Sequence, residues 1–147
     1  MPDLRSTQIT NRWVVRSSHA NHLGTAHGGS IVKWMDEVGG MAAVRFAGQW
    51  CVTAHMDSVD FVQPIEVDDA VRVEGYVYEA GETSVTVHVE AFKEDMRTGE
   101  GELASEAHIV YVAVDEDGEP SPVPELEIDS AEGERLQQAA TSDSNGD

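Results

Sequence analysis

The chain has 147 residues, enough to bury a substantial core as one domain. Its 28 Asp and Glu residues against nine Lys and Arg residues give a formal net charge of −19, and no basic patch is visible, so nucleic acid is disfavoured as a partner. The single cysteine excludes an internal disulfide, and we recognise no signal peptide and no apolar run long enough to cross a membrane, so we expect a cytoplasmic protein without a membrane partner.

The acidic residues recur along the whole chain instead of being confined to one tail. A folded domain with this charge repels itself unless salt screens it, and at molar salt the Debye length falls to about 3 Å. The pattern therefore predicts a halophilic cytoplasm, with an ordinary acidic protein as the alternative.

A short β-prone run at 8–17 is the first predicted element, and a loop with three histidines follows it. His19, His22 and His27 are conceivable metal ligands, but the chain shows no second group of ligands at a recognisable spacing. We therefore expect no metal site. We also expect no cofactor, because neither a P-loop nor a dinucleotide-binding motif follows a predicted strand.

An apolar helix with one internal carboxylate, Asp36, comes next. Its apolar residues surround most of the circumference, which predicts an enclosed helix: Ile31, Val32, Trp34, Met35, Val38, Met41, Ala42 and Val44. An enclosed Asp36 must be hydrogen-bonded, changed in proton affinity or facing a cavity. Gly39 and Gly40 leave open space beside it one turn on. Alternatively, Asp36 belongs to an exposed polar stripe with Lys33 and Glu37.

Gly28 and Gly29 precede this helix and leave the N–H groups of its first turn uncovered. The positive end of the helix dipole is then open to a carbonyl oxygen or an anion. With Asp36 expected in the second turn, a polarised carbonyl would lie near a carboxylate, which suits attack on an acyl group. A plain tight turn is the alternative interpretation of the glycine pair.

Four later segments, at 51–61, 71–80, 84–94 and 105–115, are predicted as strands because apolar residues recur with a period of two. Short glycine-containing segments stand where hairpin connections would be. One long helix followed by antiparallel strands indicates an α+β fold with a sheet curled around the helix.

The composition changes near residue 128. We expect one domain over 1–128 and an acidic, disordered tail over 129–147, in which the sequence allows a short helix at 132–140.

Two other catalytic arrangements find no support. The chain lacks the G-x-S-x-G nucleophile elbow. Cys51 and His55 lie on one face of a predicted strand, but about 13 Å apart, which is too far for a nucleophile and its base.

Seven short motifs occur in order over roughly residues 10–126. They are Asn21 to Gly29, Trp34-Met35-Asp36, Val52-Thr53-Ala54, Phe61 to Ile65, Asp68 to Val71, Gly81 to Ser84 and Val112 to Pro124. The ordered set resembles the acyl-CoA hydrolase branch of the hotdog-fold thioesterases. The resemblance implies a hotdog fold, with an antiparallel sheet wrapped around one long central helix, and a homodimer assembled further into a tetramer or hexamer.

The resemblance also implies a function, hydrolysis of acyl-CoA thioesters in fatty acid metabolism. Asp36 would act as general base or as nucleophile, a choice left open, and Asn21 of another protomer would orient the water or the thioester. N–H groups near Gly28 and Gly29 would hold the carbonyl oxygen.

Two further residues, Thr83 and Ser84, would lie near the CoA moiety; an ordinary hairpin turn is the alternative. Three positions depart from the family pattern, in which Arg often stands at Glu82, Phe at His27 and Gly at Asp68. Two other functions remain open: a non-catalytic acyl-CoA-binding protein, and a hotdog hydratase or dehydratase, which would usually use a histidine that this helix lacks.

Overall fold

The structure, a computed structural model, describes residues 2–145, with side chains as far as residue 142. The strands and α-helices, in chain order, are β1 (Ile9–Val14), α1 (Gly28–Ala47), β2 (Cys51–Phe61), β3 (Ala70–Ala80), β4 (Ser84–Glu94), β5 (Gly101–Ala113) and α2 (Ala131–Asn145). Short 3₁₀ turns occur at Leu4–Thr7 and Ser17–His19.

The strands form one antiparallel sheet in the order β1-β3-β4-β5-β2. Together with α1 this is the predicted hotdog architecture, which is confirmed. The bounds predicted for β2 and β4 are correct, and β3 begins one residue before the expected position. β5 begins at Gly101 instead of residue 105, because the tight turn at 95–100 brings Gly101 directly opposite Glu94.

Helix α1 lies against one face of the sheet, and the valines of β3 and β4 form much of the core between them. Alternate positions of these strands are fully buried: Val71, Val73, Val77, Val85, Val87 and Val89. Burying one such side chain contributes about 1.5–3 kcal/mol. Gly75 allows the close approach of α1, since a Cβ there would lie 3.2 Å from Val38 Cγ1. The helix is enclosed on most sides, but an exposed stripe runs along it from Lys33 to Arg45.

The opposite face of the sheet carries α2, where we expected a disordered tail. Ser130 Oγ accepts a hydrogen bond from Gly133 N at 2.9 Å, the contact of a helix N-cap. Tyr76 Oη donates to Leu136 O at 2.6 Å, and Ala140 is fully buried. The sequence allowed a short helix at 132–140, and α2 contains it. The disorder expected for the tail rested on its acidic composition, whereas Leu136 and Ala140, one turn apart, pack one side of the helix against the sheet. Residues 146 and 147 of the predicted tail lie outside the described residues.

Strand β2 is an edge of this sheet, because only β5 pairs with it. Most of its residues are exposed, and large apolar side chains lie along it and just before it, Trp50, Val52 and Phe61. Long exposed edge strands with apolar side chains readily pair with another chain.

No helix within the described residues combines the length and apolarity needed to span a membrane.

Candidate active site

Asp36 is half-buried, and hydroxyl groups from two strands hold its carboxylate. Its Oδ1 accepts a hydrogen bond from Thr53 Oγ1 of β2 at 2.8 Å and another from Tyr111 Oη of β5 at 2.9 Å. Asp36 is therefore hydrogen-bonded and partly buried, unlike the exposed Lys33 and Glu37. It is the ninth residue of α1, which places it in the third turn and not, as expected, in the second.

Tyr111 reaches Asp36 through the space that Gly39 leaves. A methyl group at position 39 would overlap Tyr111 Oη and would lie 3.2 Å from its Cζ. The hydroxyl is also 3.0 Å from the backbone oxygen of Asp36. Burial, followed by the charge and hydrogen bond of Asp36, raises the pKa of Tyr111. The phenol therefore keeps its proton at neutral pH and acts as a donor to the carboxylate.

A cavity of about 540 Å³ opens beside these groups. Ten residues line it: Asp36, Glu37, Gly40, Met41, Val44, Arg45, Trp50, Cys51, Thr53 and Tyr111. One wall is apolar, and a guanidinium lies at another part of the lining. Burial raises the pKa of the Cys51 thiol, so this thiol is not activated as a nucleophile. The cavity thus joins two carboxylates, Asp36 and Glu37, with two hydroxyl groups, one cation and apolar surface.

The start of α1 faces a different cavity of about 350 Å³. Gly28 lines it with Phe61, and a Cβ at position 28 would lie 3.3 Å from Phe61 Cζ. Among the described residues, none accepts a hydrogen bond from the N–H groups of Gly28 and Gly29. Asp36 is eight positions after Gly28 in the helix, which corresponds to about 12 Å along the axis. The structure of the single chain therefore does not bring the two predicted parts of the site together.

Asn21 stabilises its own loop. Its Oδ1 accepts hydrogen bonds from Leu23 N at 2.9 Å and from Thr25 N and Oγ1, both at 3.2 Å. Its side chain does not contact Asp36 of the same chain. Because these bonds use the amide oxygen, the amide nitrogen is the part of Asn21 left to act on a ligand.

Thr83 and Ser84 lie in the hairpin turn between β3 and β4, as the turn interpretation expected. The turn is closed by a hydrogen bond from Gly81 N to Ser84 O at 2.8 Å. Ser84 is opposite Val112 of β5, and Val112 is opposite Val52 of β2. The turn therefore lies at the same end of the sheet as Thr53, two strands away.

The structure describes the surroundings of all three departures from the family pattern. Asp68 has a φ of 81°, in the left-handed region where glycine is most easily accommodated and where Asp is better tolerated than most residues. This explains why glycine suits the position. His27 is the exposed N-cap of α1, and its side chain makes no capping hydrogen bond. Glu82 is exposed in the hairpin turn, where its backbone oxygen accepts a hydrogen bond from Val123 N.

Three site residues were missed or undervalued from the sequence. Thr53 lies within the Val52-Thr53-Ala54 motif, and that motif was the available signal. Arg45 lies 9 positions after Asp36 on α1, about half a turn round the helix, so helical spacing did not connect the two residues. Tyr111 is 75 residues from Asp36, and no local pattern connects the two.

Residues 23–100 match the model of the Thioesterase superfamily. Because the match spans more than half of the chain, the chain belongs to this superfamily, and the resemblance is confirmed.

Individual relatives and solved structures agree with this assignment to the thioesterase superfamily. An acyl-CoA thioester hydrolase of Bacillus subtilis (strain 168), YkhA, described as uncharacterized, is 38% identical over 125 residues, or 85% of this chain and 73% of the relative. A structure of an apo-hexameric acyl-CoA thioesterase has a TM-score of 0.87 and 34% identity, covering 99% of this chain and 95% of that chain. The acyl-CoA hydrolase of Staphylococcus aureus, solved with butyryl coenzyme A, coenzyme A and coenzyme A disulfide, has a TM-score of 0.89 and 27% identity, covering 99% and 89%.

Proposed function

We propose that this member of the thioesterase superfamily hydrolyses acyl-CoA thioesters to a free acid and CoA, with Asp36 as the reacting carboxylate. The observation that carries the proposal is the carboxylate itself, oriented by Thr53 and Tyr111 at the mouth of an open cavity. The relatives named as acyl-CoA hydrolases, one of them solved with CoA, support the choice of substrate.

The two oxygens of Asp36 have different surroundings, and this difference suggests their roles. Oδ1 receives both hydroxyl donors, whereas Oδ2 has no hydrogen-bond partner among the described residues. The anchored oxygen fixes the plane of the carboxylate. Oδ2 is then the atom that takes a proton from water, or that attacks the thioester carbonyl itself.

The site is composite, in our proposal, because one chain cannot complete it. The amide groups of Gly28 that would stabilise an oxyanion lie about 12 Å from Asp36 in the same chain. A two-fold axis near Met56, the middle of β2, would pair the β2 strands of two copies antiparallel and place Thr53 of one copy near the Phe61 end of the other. Asp36 would then meet the start of α1 of the partner subunit.

In this arrangement, Asn21 of the partner subunit and the first-turn N–H groups would act on the thioester carbonyl. The N–H groups near Gly28 and Gly29 would stabilise the negative charge that develops on the oxygen. Asn21 would donate from its amide nitrogen, since its oxygen holds the loop. Water would add to the carbonyl carbon, the C–S bond would break, and CoA would leave as the thiol.

The remaining contacts concern the two ends of the substrate. Met41, Val44 and Trp50 provide apolar surface for an acyl chain. Arg45, an exposed cation on this strongly acidic chain, suits the anionic CoA moiety, while Thr83 and Ser84 lie at the same end of the sheet. Glu82 stands where the family often has arginine, so this position provides no positive charge for CoA. We propose a homodimer that assembles further, and the hexameric relative favours a hexamer over a tetramer.

Thiol release from a panel of acyl-CoAs in molar KCl tests the function. The wild type should turn over at least one acyl-CoA, and Asp36→Asn should lower kcat by at least a hundredfold while CoA still binds. Asp117→Asn, an exposed carboxylate in a turn, is the control and should keep wild-type kcat. CoA binding without turnover in the wild type would favour an acyl-CoA-binding protein, and addition of water to enoyl thioesters would favour a hydratase.

A further inference from the structure

A second cluster of titratable side chains lies on the outer face of the sheet, next to α2. His88 of β4 and His108 of β5 stand directly opposite each other, and Glu106 lies two residues from His108 on the same face. The histidines are 2% and 3% exposed. One ligand atom from each of the three side chains lies within 4.8 Å of the others. Among the described residues, this is the one group of His, Cys, Asp or Glu side chains close enough together to hold a metal ion.

Hydrogen bonds to two tyrosines orient the imidazole rings. Tyr76 Oη donates its proton to Leu136 O, so it accepts at 3.3 Å from His88 Nδ1. His88 then carries a proton on Nδ1, and the Nε2 atom, which lies 3.6 Å from Glu106 Oε2, has a lone pair for a metal ion when the ring is neutral. His108 Nδ1 makes the corresponding contact with Tyr78 Oη at 2.9 Å. Both rings thus have an outer partner at Nδ1, as metal-binding histidines usually do.

We propose that His88, His108 and Glu106 form a binding site for a divalent transition metal of the zinc class. Two imidazoles and one carboxylate are ligands that Zn²⁺ favours. Ligand atoms at about 2.0–2.1 Å from a tetrahedral zinc lie about 3.3 Å apart, close to the His88–Glu106 separation. A single proton can link only two of these three ligand atoms, whereas a metal ion binds all three.

The surroundings allow an ion to enter and to complete its coordination. Of the three ligands, His88 lines a cavity of about 360 Å³ between the sheet and α2, whose lining also includes Glu90 and Arg135. Water from this cavity would provide the fourth ligand. The net charge of −19 attracts cations to the surface from which the cavity opens.

This site is separate from the Asp36 cavity. His108 and Tyr111 are three residues apart on β5, so their side chains point to opposite faces of the sheet. A bound ion would link β4 to β5 and, through the Tyr76–Leu136 hydrogen bond, would stabilise the packing of α2. Its role would be structural.

Zn²⁺ titration of the metal-stripped oligomer, followed by competition with a chromophoric chelator, tests the site. The wild type should bind one Zn²⁺ per chain, and Co²⁺ in its place should give the visible absorption of a tetrahedral ion. Glu106→Gln keeps the side-chain shape and should weaken Zn²⁺ binding at least tenfold, as should His108→Gln. His22→Gln, in the exposed loop, is the control for the other histidines and should bind like the wild type.

Circular dichroism verifies that each variant is folded. If His108→Gln does not fold, the Zn²⁺ affinity of Glu106→Gln decides the test. The proposal is overturned if the wild type binds no stoichiometric Zn²⁺, if Glu106→Gln binds as tightly as the wild type, or if His22→Gln is the variant that loses the ion.

Discussion

At the scale of single residues, Asp36 was a conspicuous candidate and its partners were not predicted. A carboxylate among apolar helix residues stands out in the sequence, and two of the alternatives offered for it, a hydrogen-bonded carboxylate and one that faces a cavity, agree with its contacts to Thr53 and Tyr111. Gly39 was expected to leave room for a ligand, but the ring of Tyr111 occupies that room. Contacts across 75 residues depend on strand register, which local patterns do not specify.

Gly39→Ala tests whether Tyr111 orients the carboxylate. The added methyl group would displace the phenol, and losing one hydrogen bond to a charged group costs about 1.5–3 kcal/mol. We expect kcat to fall at least tenfold, and Tyr111→Phe to have a similar effect.

Gly40→Ala is the matched comparison for Gly39→Ala, because both raise helix propensity. Its Cβ would lie 3.8 Å from the Tyr111 ring, an ordinary contact, so the loss of kcat should be much smaller. Equal kcat values for the two variants, measured by thiol release, would refute the positioning role.

At the scale of elements, valine alternation predicted the inner strands well, and composition misled at the edges of the domain. The acidic stretch after residue 128 suggested a disordered tail with at most a short helix at 132–140, whereas α2 is longer and Leu136 and Ala140 on one of its faces join a hydrophobic cluster. The start of β5 was missed because Gly101 and Glu102 have low strand propensity, although register with β4 extends the strand through them.

An ion-pair network joins three strands and makes stability depend on pH. Glu94 of β4 is buried and accepts hydrogen bonds from Arg12 of β1 at 2.9 Å and Arg72 of β3 at 2.7 Å. The hydrogen bond from Arg12, with help from Arg72, lowers the pKa of Glu94. A carboxyl group with a lowered pKa stabilises the fold above its unfolded pKa, about 4.3, and loses this contribution as pH falls through the folded value.

Glu94→Gln should therefore lower the free energy of unfolding by about 2 kcal/mol at pH 7, and the difference from the wild type should shrink below about pH 4. Urea unfolding from pH 3 to 7 at constant salt measures this. Glu116→Gln, an exposed turn residue, is the control and should change little. A Glu94→Gln deficit that stays constant down to pH 3 would contradict the ionic origin.

At the scale of the whole molecule, charge remains the basis for the predicted halophilic environment. The structure assigns several of the nine basic residues to ion pairs with acidic neighbours, including Arg12, Arg72 and Lys93. Because the sequence has 28 carboxylates against nine Lys and Arg residues, self-repulsion should be strong in dilute buffer.

Folding and activity should consequently rise together from dilute buffer to molar KCl, since screening reduces both self-repulsion and the repulsion of anionic CoA. Thermal unfolding and thiol release over a KCl series measure the two effects. Full stability and activity at low ionic strength would show that the acidic surface has another cause.

The composite site is the central proposal, and it rests on the separation of about 12 Å between Gly28 and Asp36 along α1 of one chain. Two inactive variants test it directly. Asp36→Asn removes the carboxylate, and Asn21→Asp keeps the oxygen that holds the loop while removing the amide donor. If each site takes Asn21 from one protomer and Asp36 from the other, a mixed dimer has one doubly altered site and one intact site.

Thiol release after equal amounts of the two variants exchange subunits is therefore the most direct measurement. Random pairing makes about half of the dimers mixed, so about a quarter of wild-type activity should return. The measurement requires that each variant alone is inactive and that a tagged pull-down verifies exchange. Activity that stays at the level of the separate variants after verified exchange would contradict the shared site and leave Asn21 as a residue that only shapes its loop.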